Sequence, residues 1–342
     1  MEKVVVTKMK FGVCINWRGA TIDFTRTIAL EADNLGLEYL WLTEAWGLEA
    51  LSTAGYLLGI TKKVKIGAGV LNVYSRSAGL IGMACATLDQ IAPDRFLLGL
   101  GSSGKTVVEN WHGVSFTKPL QRTKEYVDII RRVSLGDNLD YSGEVLRLSG
   151  FRLYTKPRNR DQEIYIGAIG DQNLSIAGEI SDGAIVTMYP LSRISHALDV
   201  MGRSISERKE KKLFAYIPLK ITLNSEETRT ARMEVAKNIA FYVGSMGRYY
   251  ATNLSKLGFE DSVKKIQKAH SEGGSRAAAI SVGDDLIDDL SFVGDVKKIQ
   301  EKILSLPRMI VPVFAIDALN GGNASSLRLN LLESLIHEQR DD

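Results

Sequence analysis

Apolar positions along the first hundred residues fall into two alternating patterns, a short continuous run and a spacing of one helical turn. Residues 10–16 (KFGVCIN) form a run suited to a buried strand; Phe24, Ile28, Ala29, Ala32 and Leu35 then share one helical face that stops at Gly36. Residues 38–43 (EYLWLT), 64–70 (VKIGAGV) and 95–100 (RFLLGL) repeat the strand pattern. Residues 48–60, 78–91 and 120–135 repeat the helical one, with Val127, Ile130 and Val133 on the apolar face of the last. Strands that alternate with helices pair in parallel, because each helix carries the chain back to the same end of the sheet.

The rhythm breaks at residues 139–148 and 151–154, which read as a short antiparallel hairpin around Ser142-Gly143 and Ser149-Gly150, within an insertion of about residues 139–160. It resumes with a strand at 163–167, a helix at 172–180, a strand at 184–187 and a helix at 191–209. Residues 214–223 are a seventh strand, bent or short of a donor at Pro218. Residues 226–289, mostly helical and charged, exceed a single crossover and read as a second insertion. Residues 309–315 supply the eighth strand and 324–337 a closing helix. The pattern predicts an α/β fold in one domain, a (β/α)8 TIM barrel with insertions, although an open doubly wound sheet fits the same alternation.

Composition narrows the class without changing this picture. With 342 residues, 45% hydrophobic and 24% charged, the chain is an ordinary globular one, which excludes disorder, collagen and a coiled coil. A net charge of +3 gives no overall basic surface for nucleic acid or membrane. Cys14 and Cys85 lie in apolar runs, cannot build a disulfide framework, and read as packing residues in a reducing compartment. His112, His196, His270 and His337 lack metal-ligand spacing. With neither a secretion signal nor a run of about 18 apolar residues, the expectation is a cytoplasmic protein acting on a small molecule without a metal.

In a barrel the chemistry sits at the C-terminal ends of the strands. Those ends are Asn16 and Trp17, then residues 43–46, 71–74, 99–104, 167–173 and 187–189. They are rich in Gly, Asn, Ser, Thr and aromatics and poor in acid–base groups, which suits a cradle for a large planar cofactor. Gly167-Ala168-Ile169-Gly170-Asp171-Gln172-Asn173-Leu174 leads a strand into a helix N-terminus, where free N–H groups and the dipole favour an anion. A tight turn with Asp171 as N-cap is the alternative. Gly99-Leu100-Gly101-Ser102-Ser103-Gly104 permits close backbone approach and offers hydroxyl donors, but lacks the context of a dinucleotide fingerprint. Gly67 and Gly69, followed by Val70, Leu71 and Asn72, mark a bulge, a close ligand approach, or room for a neighbouring side chain.

Three stretches, LWLTEAW (40–46), VKIGAGVLNVYSRSAGLIGMACATLDQIAPDRFLLGLGSSG (64–104) and IYIGAIGDQNLSIAGEISDGAIV (164–186), resemble the luciferase-like family of flavin- and deazaflavin-dependent oxidoreductases. FVGD (292–295) is a weaker match, and the resemblance runs in order over most of the chain. It is strongest to the branch that uses the deazaflavin coenzyme F420, and there to the methylenetetrahydromethanopterin reductases. The resemblance implies hydride transfer between coenzyme F420 and a one-carbon pterin or similar imine. An FMN-dependent monooxygenase, or a cofactor-binding relative without activity, is the alternative. It further implies a cis peptide at Gly69-Val70 behind the ring, with Asn72, Gly99, Gly101 and Ser102 touching the ring or ribityl chain. Thr43 and Glu44 would lie near the hydroxylated end of the ring, Gly167 to Asn173 would hold the phosphate, and the chain would form a homodimer through helices beside the second and third strands. Three ionisable groups common in relatives are missing: Glu44-Ala45 stands for Asp-His, Cys14 for a Glu, and residues 102–105 lack an acid. Glu44 is the remaining candidate general acid, whereas Glu109 and His112 read as structural.

Overall fold

In the computed structural model, residues 10–158, 161–202, 211–246, 248–307 and 309–316 are described. The strands, in chain order, are β1 (Gly12–Ile15), β2 (Tyr39–Leu42), β3 (Lys65–Asn72), β4 (Phe96–Gly101), β5 (Leu139–Ser142), β6 (Arg147–Phe151), β7 (Ile164–Gly167), β8 (Gly183–Thr187), β9 (Lys212–Ile221), β10 (Phe292–Gly294) and β11 (Ile310–Ile316). Among the described residues, eight of them pair in parallel in the order β9-β11-β1-β2-β3-β4-β7-β8, and β8 pairs again with β9. That last ladder closes the sheet, so the architecture is a (β/α)8 barrel and the open doubly wound alternative falls. β10 extends the sheet outside the barrel by pairing with Leu219 to Ile221, beyond the β9 residues, Leu213 to Pro218, that β11 uses.

Between the strands run α1 (Ile22–Leu35), α2 (Ala50–Ile60), α3 (Ala78–Ile91), α4 (Lys105–Asn110), α5 (Pro119–Leu135), α6 (Asp171–Ile180) and α7 (Ile194–Gly202). Local chemistry sets their ends. Thr21 caps α1 by accepting from the Phe24 N–H, and Gly36 closes it in the left-handed conformation at φ 73°. Ser77 caps α3 on the Leu80 N–H. The helix expected at 191–209 begins with a tight turn at Leu191–Arg193 and is followed to Gly202; its remainder lies outside the described residues, as does the closing helix expected at 324–337.

The hairpin differs in register from the expectation. Its turn is at Gly143, whose N–H donates to the Leu146 carbonyl at 2.8 Å, and Ser149-Gly150 lies inside β6, with Gly150 at φ 71°. The reason is Glu125 of α5. This buried carboxylate accepts the N–H groups of Glu144, Val145 and Leu146, and so fixes the turn one tertiary contact away from its own sequence.

The second insertion is α8 (Ser225–Gly244), α9 (Arg248–Leu254), α10 (Glu260–Ser281, interrupted at Gly274) and α11 (Asp284–Leu290), and α12 (Val296–Leu304) leads back to β11. It builds an apolar core of its own around Val235, Ile239, Leu254, Ile266 and Leu286. The barrel interior is packed by Tyr39, Trp41, Leu97, Tyr165, Phe214 and Val313. Both cysteines are buried and unbridged, and burial pushes the Cys85 thiol up to about 12, as a packing role requires. Among the described residues no helix is long and apolar enough to cross a membrane.

Candidate functional site

The glycine-bearing ends of β3, β4 and β7 meet. The Gly69–Val70 peptide is cis, and the pairing of β3 with β4 shifts register between Ala68 and Leu71. The Val70 side chain lies across the two neighbouring strands. A Cβ on Gly101 would stand 2.7 Å from Val70 Cγ2, and one on Gly167 would stand 3.1 Å from Cγ1. Gly99 is pressed against β3 as well, with its Cβ position 2.5 Å from the Ala68 carbonyl oxygen. Glycine at Gly67 and Gly69 has a different cause, because Trp41 and Tyr216 inside the barrel occupy the space in front of them. Val70 itself is half-buried, and it forms an apolar floor at the barrel mouth.

Asn72 ends β3 beside this floor. It is 8% exposed, its Oδ1 accepts from the Tyr74 N–H at 2.9 Å, and its Nδ2 has no acceptor among the described residues. A buried amide donor left open in this way is rare and points to a group supplied from outside the chain. Ser103 and Met188, just past β4 and β8, adopt φ of 57° and 52°, a conformation uncommon outside glycine and concentrated at functional loops.

The ends of β1 and β2 are closed by the protein itself. The Thr43 hydroxyl donates to the Ile15 carbonyl and accepts from the Trp17 N–H, each at 2.9 Å, which ties the two strands together. Trp17 and Trp46 pack with ring centroids 4.4 Å apart. Glu44 binds Arg76 through both oxygens and also accepts from the Ala50 N–H at 3.0 Å. Glu49 caps α2 and holds the same guanidinium from another side.

A cleft of about 1000 Å³ opens where α6 begins. Ser102, Ile169, Gly170, Asp171 and Gln172 from the sequence-derived set line it. Thr43, Glu44, Gly69, Val70, Asn72, Gly99, Gly101, Gly167 and Ala168 do not; Ala168 is buried, and its N–H donates to Ile185. The N-cap of α6 is Gly170, with no side chain capping it, and the first helical bond runs from the Leu174 N–H to the Gly170 carbonyl. Asp171 is therefore the first helical residue and not the N-cap, because the first helical bond ends on the Gly170 carbonyl; its Oδ1 lies 2.9 Å from His196 Nε2. The helix mouth keeps its open N–H groups and its positive end.

Cations that the sequence reading did not single out face this mouth. Among the described residues, Arg193, Arg248 and Lys256 line the cleft with His196, against the single carboxylate of Asp171. Arg193 also donates from Nε to the Leu257 carbonyl at 3.1 Å, which joins the loop after β8 to the turn after α9. Arg248 and Lys256 belong to the insertion, and only its packing brings them to α6; no local spacing marks them. Glu109 accepts from the Phe116 N–H at 3.3 Å. The arrangement can hold an anion between α6 and the insertion and a flat apolar group against the glycine and Val70 floor.

A family model described as luciferase-like monooxygenase matches residues 9–311. A Mycobacterium tuberculosis protein named as a coenzyme F420-dependent oxidoreductase is 29% identical over 86% of this chain and 91% of its own length. The 5,10-methylenetetrahydromethanopterin reductase of Archaeoglobus fulgidus is 29% identical over 81% of this chain and 84% of its own. Among solved structures, the coenzyme F420-dependent tetrahydromethanopterin reductase from Methanopyrus kandleri shares the fold, with a TM-score of 0.76 at 21% identity over 95% of this chain and 97% of that one.

Proposed function

Because the chain belongs to the luciferase-like monooxygenase family, we propose that it is a coenzyme F420-dependent oxidoreductase acting on a small substrate with a reducible or oxidisable carbon centre. The relatives that match most of its length carry that coenzyme or its pterin reaction in their names. The observation that carries the reading is an uncapped α6 N-terminus facing a cationic cleft, at the same end of the barrel as the Val70 floor that Gly101 and Gly167 accommodate.

The residues fit the coenzyme. Gly101 and Gly167 make room for the Val70 side chain, which offers the ring an apolar face, and the Asn72 amide beside it has a donor without an acceptor among the described residues. The N–H groups at the start of α6, with Ser102 nearby, suit a phosphate, and Arg193, Arg248 and Lys256 raise the positive potential around it. Bound deazaflavin supplies two-electron hydride transfer, so the protein need only orient it and exclude water. Glu44, held by Arg76, acts as a positioning residue that fixes the loop after β2 against the one after β3. An imine of the one-carbon pterin type is the preferred substrate. A cytoplasmic homodimer is part of the same reading, supported by Tyr56, Leu80, Met83 and Ile91, exposed on α2 and α3.

The family's description as monooxygenases favours FMN as the second reading. Titrating the purified chain separately with coenzyme F420 and with FMN, followed by chromophore fluorescence, tests the choice. Saturable binding of the deazaflavin at micromolar concentration is expected; tight uptake of FMN with none of the deazaflavin overturns it.

A further inference from the structure

We propose that Asn253, on the insertion helix α9, is a binding residue for the coenzyme's phosphate, so that the anion is gripped between the barrel and the insertion rather than by α6 alone. The inference rests on the coenzyme reading above and adds a donor that lies far from the glycine segments in sequence.

Asn253 is 8% exposed, and its Nδ2 has no acceptor among the described residues. It lines the cleft opposite the mouth of α6, with Oδ1 3.8 Å from the position a Cβ would take on Gly170. The side-chain amide and the N-cap of α6 are thus neighbours across a narrow gap. Ala251 and Leu254 on the same short helix are buried in the insertion's apolar core, which holds α9 in place behind Asn253. Burying an amide without an acceptor is unfavourable, and proteins seldom do so without a further group to receive the bond. The amide atom nearest the mouth of α6 is Oδ1, and half a turn about the last side-chain torsion exchanges it for Nδ2, which then donates toward the cleft, where α6 already favours negative charge.

The two walls divide the work. An uncapped helix mouth attracts any small anion, whereas a donor fixed on the opposite wall also sets where that anion stops. Asp171, the carboxylate in this lining, is held by His196 and does not occupy the Gly170 side of the mouth as a cap would. Arg248 and Lys256, on either side of Asn253 in sequence, add long-range attraction from the same wall. The consequence is selectivity: Asn253 should favour the phosphorylated coenzyme over the same ring and ribityl chain without phosphate.

The test compares wild type, Asn253→Ala and Asn253→Asp for binding of coenzyme F420 and of its phosphate-free deazaflavin riboside, with far-ultraviolet circular dichroism to establish folding. Loss of one hydrogen bond to a charged acceptor corresponds to about tenfold in Kd. Asn253→Ala is expected to weaken coenzyme binding by about that factor and Asn253→Asp by more, with the riboside unchanged in both. If the alanine variant fails to fold, the near-isosteric aspartate variant carries the comparison. Equal losses for both ligands, or no loss for either, overturn the proposal. If wild type ignores the deazaflavins and takes FMN, the coenzyme reading fails on its own, and the same variants with FMN against riboflavin decide the role of Asn253. Binding of neither phosphorylated coenzyme by wild type overturns both.

Discussion

Arg76 grips Glu44 in a fork, Nη1 to Oε1 and Nη2 to Oε2, each at 2.7 Å. The pair is largely shielded from water, with side-chain exposures of 14% and 11%. Such two-pronged contacts fix geometry as well as charge. Here they join the loops that leave β2 and β3, and the guanidinium engages both carboxylate oxygens.

Glu44→Gln is therefore expected to act on stability. The amide keeps one acceptor, and Arg76 keeps Glu49, so the loss should be about 1–3 kcal/mol in urea unfolding. The pH dependence of turnover should keep its shape. Disappearance of one limb of that profile would make Glu44 the acid.

The contact of Val70 with two glycines gives a second prediction. Gly101→Ala puts a methyl 2.7 Å from Val70 Cγ2, which forces the valine out of place. Overpacking of this kind costs about 1–3 kcal/mol. Coenzyme affinity should fall at least tenfold, because the displaced side chain enters the space above the floor. The double variant Gly101→Ala, Val70→Ala should recover most of both losses. If the double variant is no better than the single one, Val70 is not the element that glycine at 101 accommodates.

How far the sequence reached can be judged from these same residues. The strand and helix alternation was legible because each element buries a continuous or helical-period apolar face, whereas closure rests on the β8–β9 ladder, which pattern alone does not distinguish from an open sheet. The meeting of Gly69, Gly101 and Gly167 was also legible, since strand ends converge in any closed parallel barrel. The hairpin turn was not. Its register is set by Glu125, whose carboxylate reaches N–H groups of residues 144–146, and composition does not reveal which carboxylate does so. The cleft cations were missed for a related reason. Arg248, Asn253 and Lys256 belong to helices read only as an insertion, and their common direction arises from the packing of that insertion on the barrel. Glycine at 67 and 69 illustrates the reverse case, a signal correctly noticed whose cause is the protein's own Trp41 and Tyr216.

Acid stability should depend on a cluster at the opposite, N-terminal mouth of the barrel. Glu163 meets Lys65 and Lys212, each at 2.8 Å, and accepts from the Tyr165 hydroxyl. Burial alone would raise its pKa, but the bonds from Lys212, Lys65 and Tyr165 outweigh it and hold the group at about 2, against an ordinary value of 4.5. Since the folded value is the lower one, the stabilisation is complete above pH 4.5 and is lost as pH falls toward 2. That gap corresponds to about 3 kcal/mol, which the 24% of the side chain open to water reduces to about 2. Glu163→Gln should thus be less stable than wild type at neutral pH by about this amount, and the two should converge near pH 2 in urea midpoints. A constant difference across that window would mean that the carboxylate's charge contributes nothing.

Gly170→Glu addresses the anion site directly. Among the described residues the Cβ position on Gly170 meets only Asn253 Oδ1, at 3.8 Å, and its φ of −109° suits any residue, so the variant should fold with its unfolding midpoint nearly unchanged. Its carboxylate would enter the mouth of α6 and compete for the N–H groups there. It would also partly neutralise the field of Arg193, Arg248 and Lys256. Coenzyme binding should weaken at least tenfold at low ionic strength, and the deficit should shrink as salt screens the added charge. Gly170→Ala, which adds bulk without charge, should bind within about threefold of wild type if electrostatics controls the site. Equal losses from the two variants would assign the effect to shape. No loss from either would remove α6 from the coenzyme site.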